Sequence, residues 1–117
     1  MESNILRIEE DGHVVVLRLL EKKLYQHAVP EFQETVKNLV DQKKTHFVVD
    51  LSPVELMNSS AIGVLILLVD GVRKNQGKMA VTGYNRLLEE LFERMRLDTL
   101  FQMIKDPDEA IQTIKNL

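Results

Sequence analysis

The 117-residue chain contains no cysteine. That absence excludes a disulfide framework, a thiolate metal site and a cysteine nucleophile, and it fits a reducing compartment. Long apolar runs are missing too. The longest, Ala61 to Val69, is broken only by Gly63 and reaches about half of what a membrane-spanning helix needs. The opening residues Met1-Glu2-Ser3-Asn4-Ile5 lack the basic-then-apolar order of a secretion signal. A cytoplasmic protein without membrane insertion is expected. No block of like charges and no charged tail occurs. With 15 basic and 18 acidic residues the formal charge is −3, so there is no general attraction to phosphate backbones and nucleic acid is not an expected partner. Two domains would each be too small to build a good core without staples, so residues 1–117 are expected to form one domain.

What the chain does have is alternating strand and helix patterns. Residues 5–9 alternate, Asp11-Gly12 is a turn signal, and Val14-Val15-Val16-Leu17-Arg18-Leu19-Leu20 follows. Two strand-like runs around Asp-Gly predict a hairpin, and the second is too apolar for a one-sided strand, so it belongs inside the sheet. Residues 21–27 are polar. Pro30 then suits a helix start, and Phe32, Val36, Leu39 and Val40 recur at helical spacing, which predicts a helix over 29–43. Phe47 to Leu51 reads as a buried strand ended by Ser52-Pro53. Asn58-Ser59-Ser60 are N-cap residue types, and a helix is expected from there to about Asn75. Lys78 to Thr82 reads as a strand, 85–96 as a helix with Leu87, Leu88, Leu91, Phe92 and Met95 as its apolar positions, and 102–104 as a weak last strand. Asp106-Pro107-Asp108-Glu109 caps a final helix carrying Ala110, Ile111 and Ile114, with Lys115 in its last turn to suit the dipole. The order β-β-α-β-α-β-α-β-α implies crossover units and an α/β domain: a central mixed, mainly parallel sheet with about four helices.

The segment from Phe47 to Leu65 is the most informative. A buried strand leads through a short loop into a helix N-terminus, which brings Ser59 and Ser60 to free backbone N–H groups and the positive end of the dipole. A phosphate there would add about −1.5 to −2 charge in a favourable place. The plain alternative is a serine that only caps, worth about 1 kcal/mol. In the helix, Ile62, Leu65, Ile66, Val69 and Val72 form one apolar stripe, while Val64, Leu67 and Leu68 fall largely outside it. That surplus must meet neighbouring helices or lie open for a partner.

Taken together, Val14 to Leu19, Phe47 to Val54, Asn58-Ser59-Ser60-Ala61-Ile62-Gly63-Val64-Leu65, and the closing Leu97-Asp98-Thr99-Leu100-Phe101 and Asp106 to Ile111 resemble the STAS domain family, named for sulphate transporters and anti-sigma factor antagonists. The match spans roughly residues 5–115, and the short length is similar to the stand-alone bacterial antagonists. The resemblance implies a protein that binds a serine kinase of the histidine-kinase-like ATPase type, which also acts as the anti-sigma factor. It implies phosphorylation of Ser59, the first serine of that branch's Asp-Ser-Ser/Thr-Gly-Leu-Gly motif, and restoration by a PP2C-type phosphatase. Asn58, Ser59, Ser60, Ala61 and Val64 are the expected partner-binding residues, with weak homo-oligomerisation left open. This sequence departs from the motif twice: Asn58 stands for the usual Asp and Ala61 for the usual Gly. Asn58 keeps the capping ability but loses a carboxylate beside the acceptor, which favours an alternative, a non-phosphorylated scaffold or accessory subunit of a signalling or transport complex.

Enzyme readings find little support. His13, His27 and His46 show no metal-ligand spacing such as His-x-x-x-His, so no metal site and no cofactor are expected. Ser59 lacks a Gly-x-Ser-x-Gly elbow. Asp50, at the end of a buried strand, has no catalytic partner tied to it by any motif, and a structural hydrogen-bonding role is expected.

Overall fold

A computed structural model describes residues 4–117. The hairpin forms as expected: β1 (Leu6–Asp11) turns through Gly12 into β2 (Val14–Leu19), antiparallel. Then come β3 (Lys23–Leu24), α1 (Val29–Asp41), β4 (His46–Asp50), β5 (Leu56–Met57), α2 (Ser59–Lys74), β6 (Lys78–Thr82), α3 (Arg86–Arg94), a 3-10 turn over Leu97–Thr99, β7 (Gln102–Met103) and α4 (Pro107–Lys115). The main sheet has the order β1-β2-β4-β6-β7, and every pairing after the hairpin is parallel.

Strands β2, β4 and β6 read as continuous apolar runs because both faces of the sheet are covered. Val15, Leu17, Leu19, Phe47, Val49, Met79 and Val81 belong to the larger core with α1, α2 and α3. Val14, Val16, Val48 and Ala80 form a smaller one with Ala110, Ile111 and Ile114 of α4. Asp106 caps α4 by accepting a hydrogen bond from the Glu109 N–H at 2.9 Å, as its sequence foretold.

Two short strands escape the sequence pattern. β3 and β5 pair with each other in parallel, apart from the main sheet. Each has only two residues, too few for any periodicity to show, and residues 21–27 look merely polar. The third helix also divides its apolar positions. Leu88 and Phe92 are buried, while Leu87 and Met95 are 52% and 45% exposed. Of the three surplus apolar residues of α2, two find their partner inside the protein, while Leu67 stays half-exposed. Val64 and Leu68 are buried, and α1 packs along α2 closely enough that a Cβ at Gly71 would stand 2.6 Å from Val40 Cγ2.

Helix α2 ends in a paired hydrogen-bond motif. The Gln76 N–H donates to the Arg73 carbonyl and the Gly77 N–H to the Val72 carbonyl, which satisfies carbonyls that the helix leaves free. Gln76, at φ 57°, takes the left-handed position. Gly77 stands one residue later, with its α-carbon against the Thr45 carbonyl.

Candidate functional site

The connection from β4 to α2 is held at each step. Asp50, the last residue of β4, accepts hydrogen bonds from the Ser52 N–H at 2.9 Å and the Ser52 hydroxyl at 2.5 Å through Oδ1. Its Oδ2 accepts from Arg18 Nη1 at 2.6 Å, and Arg18 Nε donates to Glu9 Oε1 at 3.0 Å. Burial opposes the charge on the Arg18 guanidinium. The hydrogen bonds and charges of Glu9 and Asp50 outweigh it and hold Arg18 above its ordinary pKa. Gly83, at φ 69°, closes over this network, and a Cβ there would press on Asp50 and Ser52. Asp50 thus has the structural role expected of it.

Beyond the network, the Leu51 N–H donates to Thr82, the Glu55 and Leu56 N–H groups to Lys22, and the Asn58 N–H to Leu24. The Asn85 side-chain amide donates to the Glu55 carbonyl at 3.2 Å. The short β3–β5 pair and the start of α3 therefore fix the path of the chain into α2.

Asn58 is the N-cap. Its Oδ1 accepts from the Ala61 N–H at 2.9 Å, with an extended backbone at φ −85° and ψ 174°. Ser59 and Ser60 are the first two helical residues, both exposed. Their own N–H groups precede the first possible i−4 helical acceptor, so a positive helix end opens toward solvent at these two positions. Arg73 and Lys74 in the last turn complement the opposite end of the dipole. Replacing Asn58 by Ala is expected to cost about 1 kcal/mol in urea unfolding, by loss of the cap; Asn58→Asp should keep that stability.

The expected partner-binding residues separate into two groups. Ser59 and Ser60 are exposed and Asn58 is half-buried. Ala61 is 0% and Val64 3% exposed, so these two pack inward in the free chain, with α1 on the side of α2 where Val64 lies. Ser60, Gly63, Val64 and Leu67 nevertheless border a shallow surface groove shared with Val29 and Gln33 of α1. Sequence reasoning missed Arg18 and Ser52 as supports of the site. A signal existed for the first, because a charge inside the apolar run of β2 needs a partner, and the register sets Arg18 beside Asp50.

Among the described residues, no group of three or more His, Asp or Glu side chains could enclose a metal ion, and no helix is long and apolar enough to cross a membrane.

Comparison with known proteins agrees with this geometry. Solved structures that share the fold include the following three. An anti-sigma factor antagonist from Mycobacterium paratuberculosis matches with a TM-score of 0.83 at 19% identity, over 94% of this chain and 92% of that one. The Bacillus cell fate determinant SpoIIAA in its phosphorylated form matches at 0.76 and 19% identity, over 93% and 98% of the two chains. A serine-to-glutamate variant of RsbS from Moorella thermoacetica matches at 0.77 and 18% identity, over 95% of each. The family model for the STAS domain matches residues 6–110. A mixed sheet, a capped helix carrying surface serines and a family match over most of the length converge on one assignment: the chain belongs to the STAS domain family.

Proposed function

We propose that this chain is a regulatory binding protein of the anti-sigma factor antagonist type, working by partner switching and not by catalysis. With Ser59 unmodified, it binds a serine kinase of the histidine-kinase-like ATPase type that also serves as the anti-sigma factor. Phosphate on Ser59 ends that complex, and a PP2C-type phosphatase restores it.

The observation that carries this reading is an exposed hydroxyl on the first residue of α2, delivered by a loop tied down on both sides. A kinase needs such an acceptor within reach. A dianion at this place adds bulk and a desolvation cost to any docked surface, and repels acidic groups on it. A loss of about 3 kcal/mol in binding is more than a hundredfold in affinity. The likeness in fold to SpoIIAA, solved in a phosphorylated form, supports the same reading.

The test is intact mass after incubation with ATP and a cognate kinase. One phosphate is expected on the native chain and on Ser60→Ala, and none on Ser59→Ala. Labelling that persists in Ser59→Ala would overturn the assignment. Asn58, in place of an acidic neighbour, favours the second reading, a scaffold or accessory subunit that is never phosphorylated. No mass gain, together with co-purification in a large assembly or with a transporter, is the result that selects it.

A further inference from the structure

Two histidines separated by more than thirty residues meet at the end of the sheet opposite Ser59. His13 lies in the turn between β1 and β2, and His46 opens β4 beside Val14. Their ring centroids are 4.7 Å apart, with ring planes at 78°. Thr45 Oγ1 lies 2.8 Å from His46 Nδ1. When that nitrogen donates its proton to the hydroxyl, Nε2 keeps its lone pair, the arrangement in which a histidine is held ready to ligate. Among the described residues, no hydrogen bond engages the His13 ring, which is exposed.

We propose that His13 and His46 form a two-imidazole site for a divalent cation of the copper or nickel kind, with water completing the coordination shell. The spacing is the argument. A metal about 2.0 Å from one nitrogen of each ring stands about 3.2 Å from each centroid. Two rings bound at right angles then have centroids about 4.5 Å apart, and at the tetrahedral angle about 5.2 Å. The separation in the protein lies near the right-angled value, the preference of tetragonal Cu(II) and Ni(II) with nitrogen and oxygen ligands.

The surroundings set the character of the site. Asp11 is engaged with Lys115 at 2.6 Å and Glu10 with Lys44 at 2.9 Å, so the adjacent carboxylates are already paired. Lys78 neighbours His46 in register and adds positive charge. With two protein ligands, the site is open and exchanges its metal, unlike a closed structural zinc site of four ligands. Spacing along the sequence could not show it, because parallel pairing of β2 with β4 brings the two residues together.

The test uses the full chain at neutral pH, titrated with Ni(II) by calorimetry, and with substoichiometric Cu(II) by broadening of the histidine ring signals in NMR. His13 and His46 signals are expected to broaden together. His13→Ala and His46→Ala, each in turn, should lower Ni(II) affinity at least tenfold, while His27→Ala leaves it within twofold. Both replaced side chains lie at or near the surface, and unchanged far-UV circular dichroism checks that each variant is folded. Broadening that reaches His27 as strongly as the pair, or single variants that retain native affinity, would overturn the proposal.

Discussion

Gly77→Ala is expected to lower the unfolding free energy by about 4 kcal/mol, close to the largest loss a single methyl group can cause. The added Cβ would fall within bonding distance of the Thr45 carbonyl, whose carbon would lie only 2.7 Å away. Both sides of this contact are backbone. Relief by a side-chain rotation is therefore closed, and the connection after α2 must move away from the one before β4. That movement would break the hydrogen bond from the Lys78 N–H to the Thr45 carbonyl and the one from Gly77 to Val72, at 3.0 Å and 2.8 Å. Gly63 supplies the control. A Cβ at that helix position meets nothing within 4 Å, so Gly63→Ala should stabilise by up to about 1 kcal/mol through helix propensity alone. Urea unfolding reads both variants: the midpoints should move in opposite directions with an unchanged denaturant slope. A Gly77→Ala protein as stable as the native one would show that the crossing of these two connections is wrongly placed.

Asp50→Ala should cost about 3 kcal/mol, equivalent to a fall in Tm of roughly 12 °C for a chain of this size. Three donors converge on the carboxylate: the Arg18 guanidinium, the Ser52 N–H and the Ser52 hydroxyl. The carboxylate side chain is 7% exposed and the Arg18 side chain 27%. Removing the acceptor leaves a partly buried cation with only Glu9, whose side chain is 40% exposed. Water reaches Arg18, which keeps the loss at the lower end of the range for broken buried pairs. Asp50→Asn retains an acceptor for Ser52 and should cost about half as much. Because the same carboxylate secures the loop leading to Ser59, amide hydrogen exchange at 52–58 should speed up in Asp50→Ala more than exchange in α4.

The order of the principal elements was legible in the sequence because each bears a period. Phe32, Val36, Leu39 and Val40 announce α1, and the two-sided burial of β2 and β4 is written in the consecutive apolar residues Val14 to Leu17 and Phe47 to Val49. The start of α2 was readable from the cap-type residues Asn58-Ser59-Ser60, but not which of them caps: it is Asn58, whose Oδ1 accepts from the Ala61 N–H, and not a serine. What escaped depends on distance in three dimensions. β3 and β5 are too short to alternate. Val64 looked like a surplus apolar residue because the sequence does not say which side α1 takes. Leu87 and Met95 lie at helical spacing with Leu91, yet only Leu88 and Phe92 are fully buried, with Leu91 packed half-buried against the core. The pairing of Arg18 with Asp50, and of His13 with His46, follows from strand register, which no local pattern encodes.

The second face of the sheet depends on a single short helix. Val14, Val16, Val48 and Ala80 are buried with Ala110, Ile111 and Ile114 of α4. The Lys115 ammonium, held by Asp11, ties that helix back to the first hairpin across 104 positions of sequence. As the chain emerges from a ribosome, strands β1 to β7 come out first, with a valine-rich surface still bare. The fold can close only when the segment from Pro107 onward is free to dock, so the earliest strands must wait for the latest helix. During that interval the bare surface is the one most open to a chaperone or to another nascent chain.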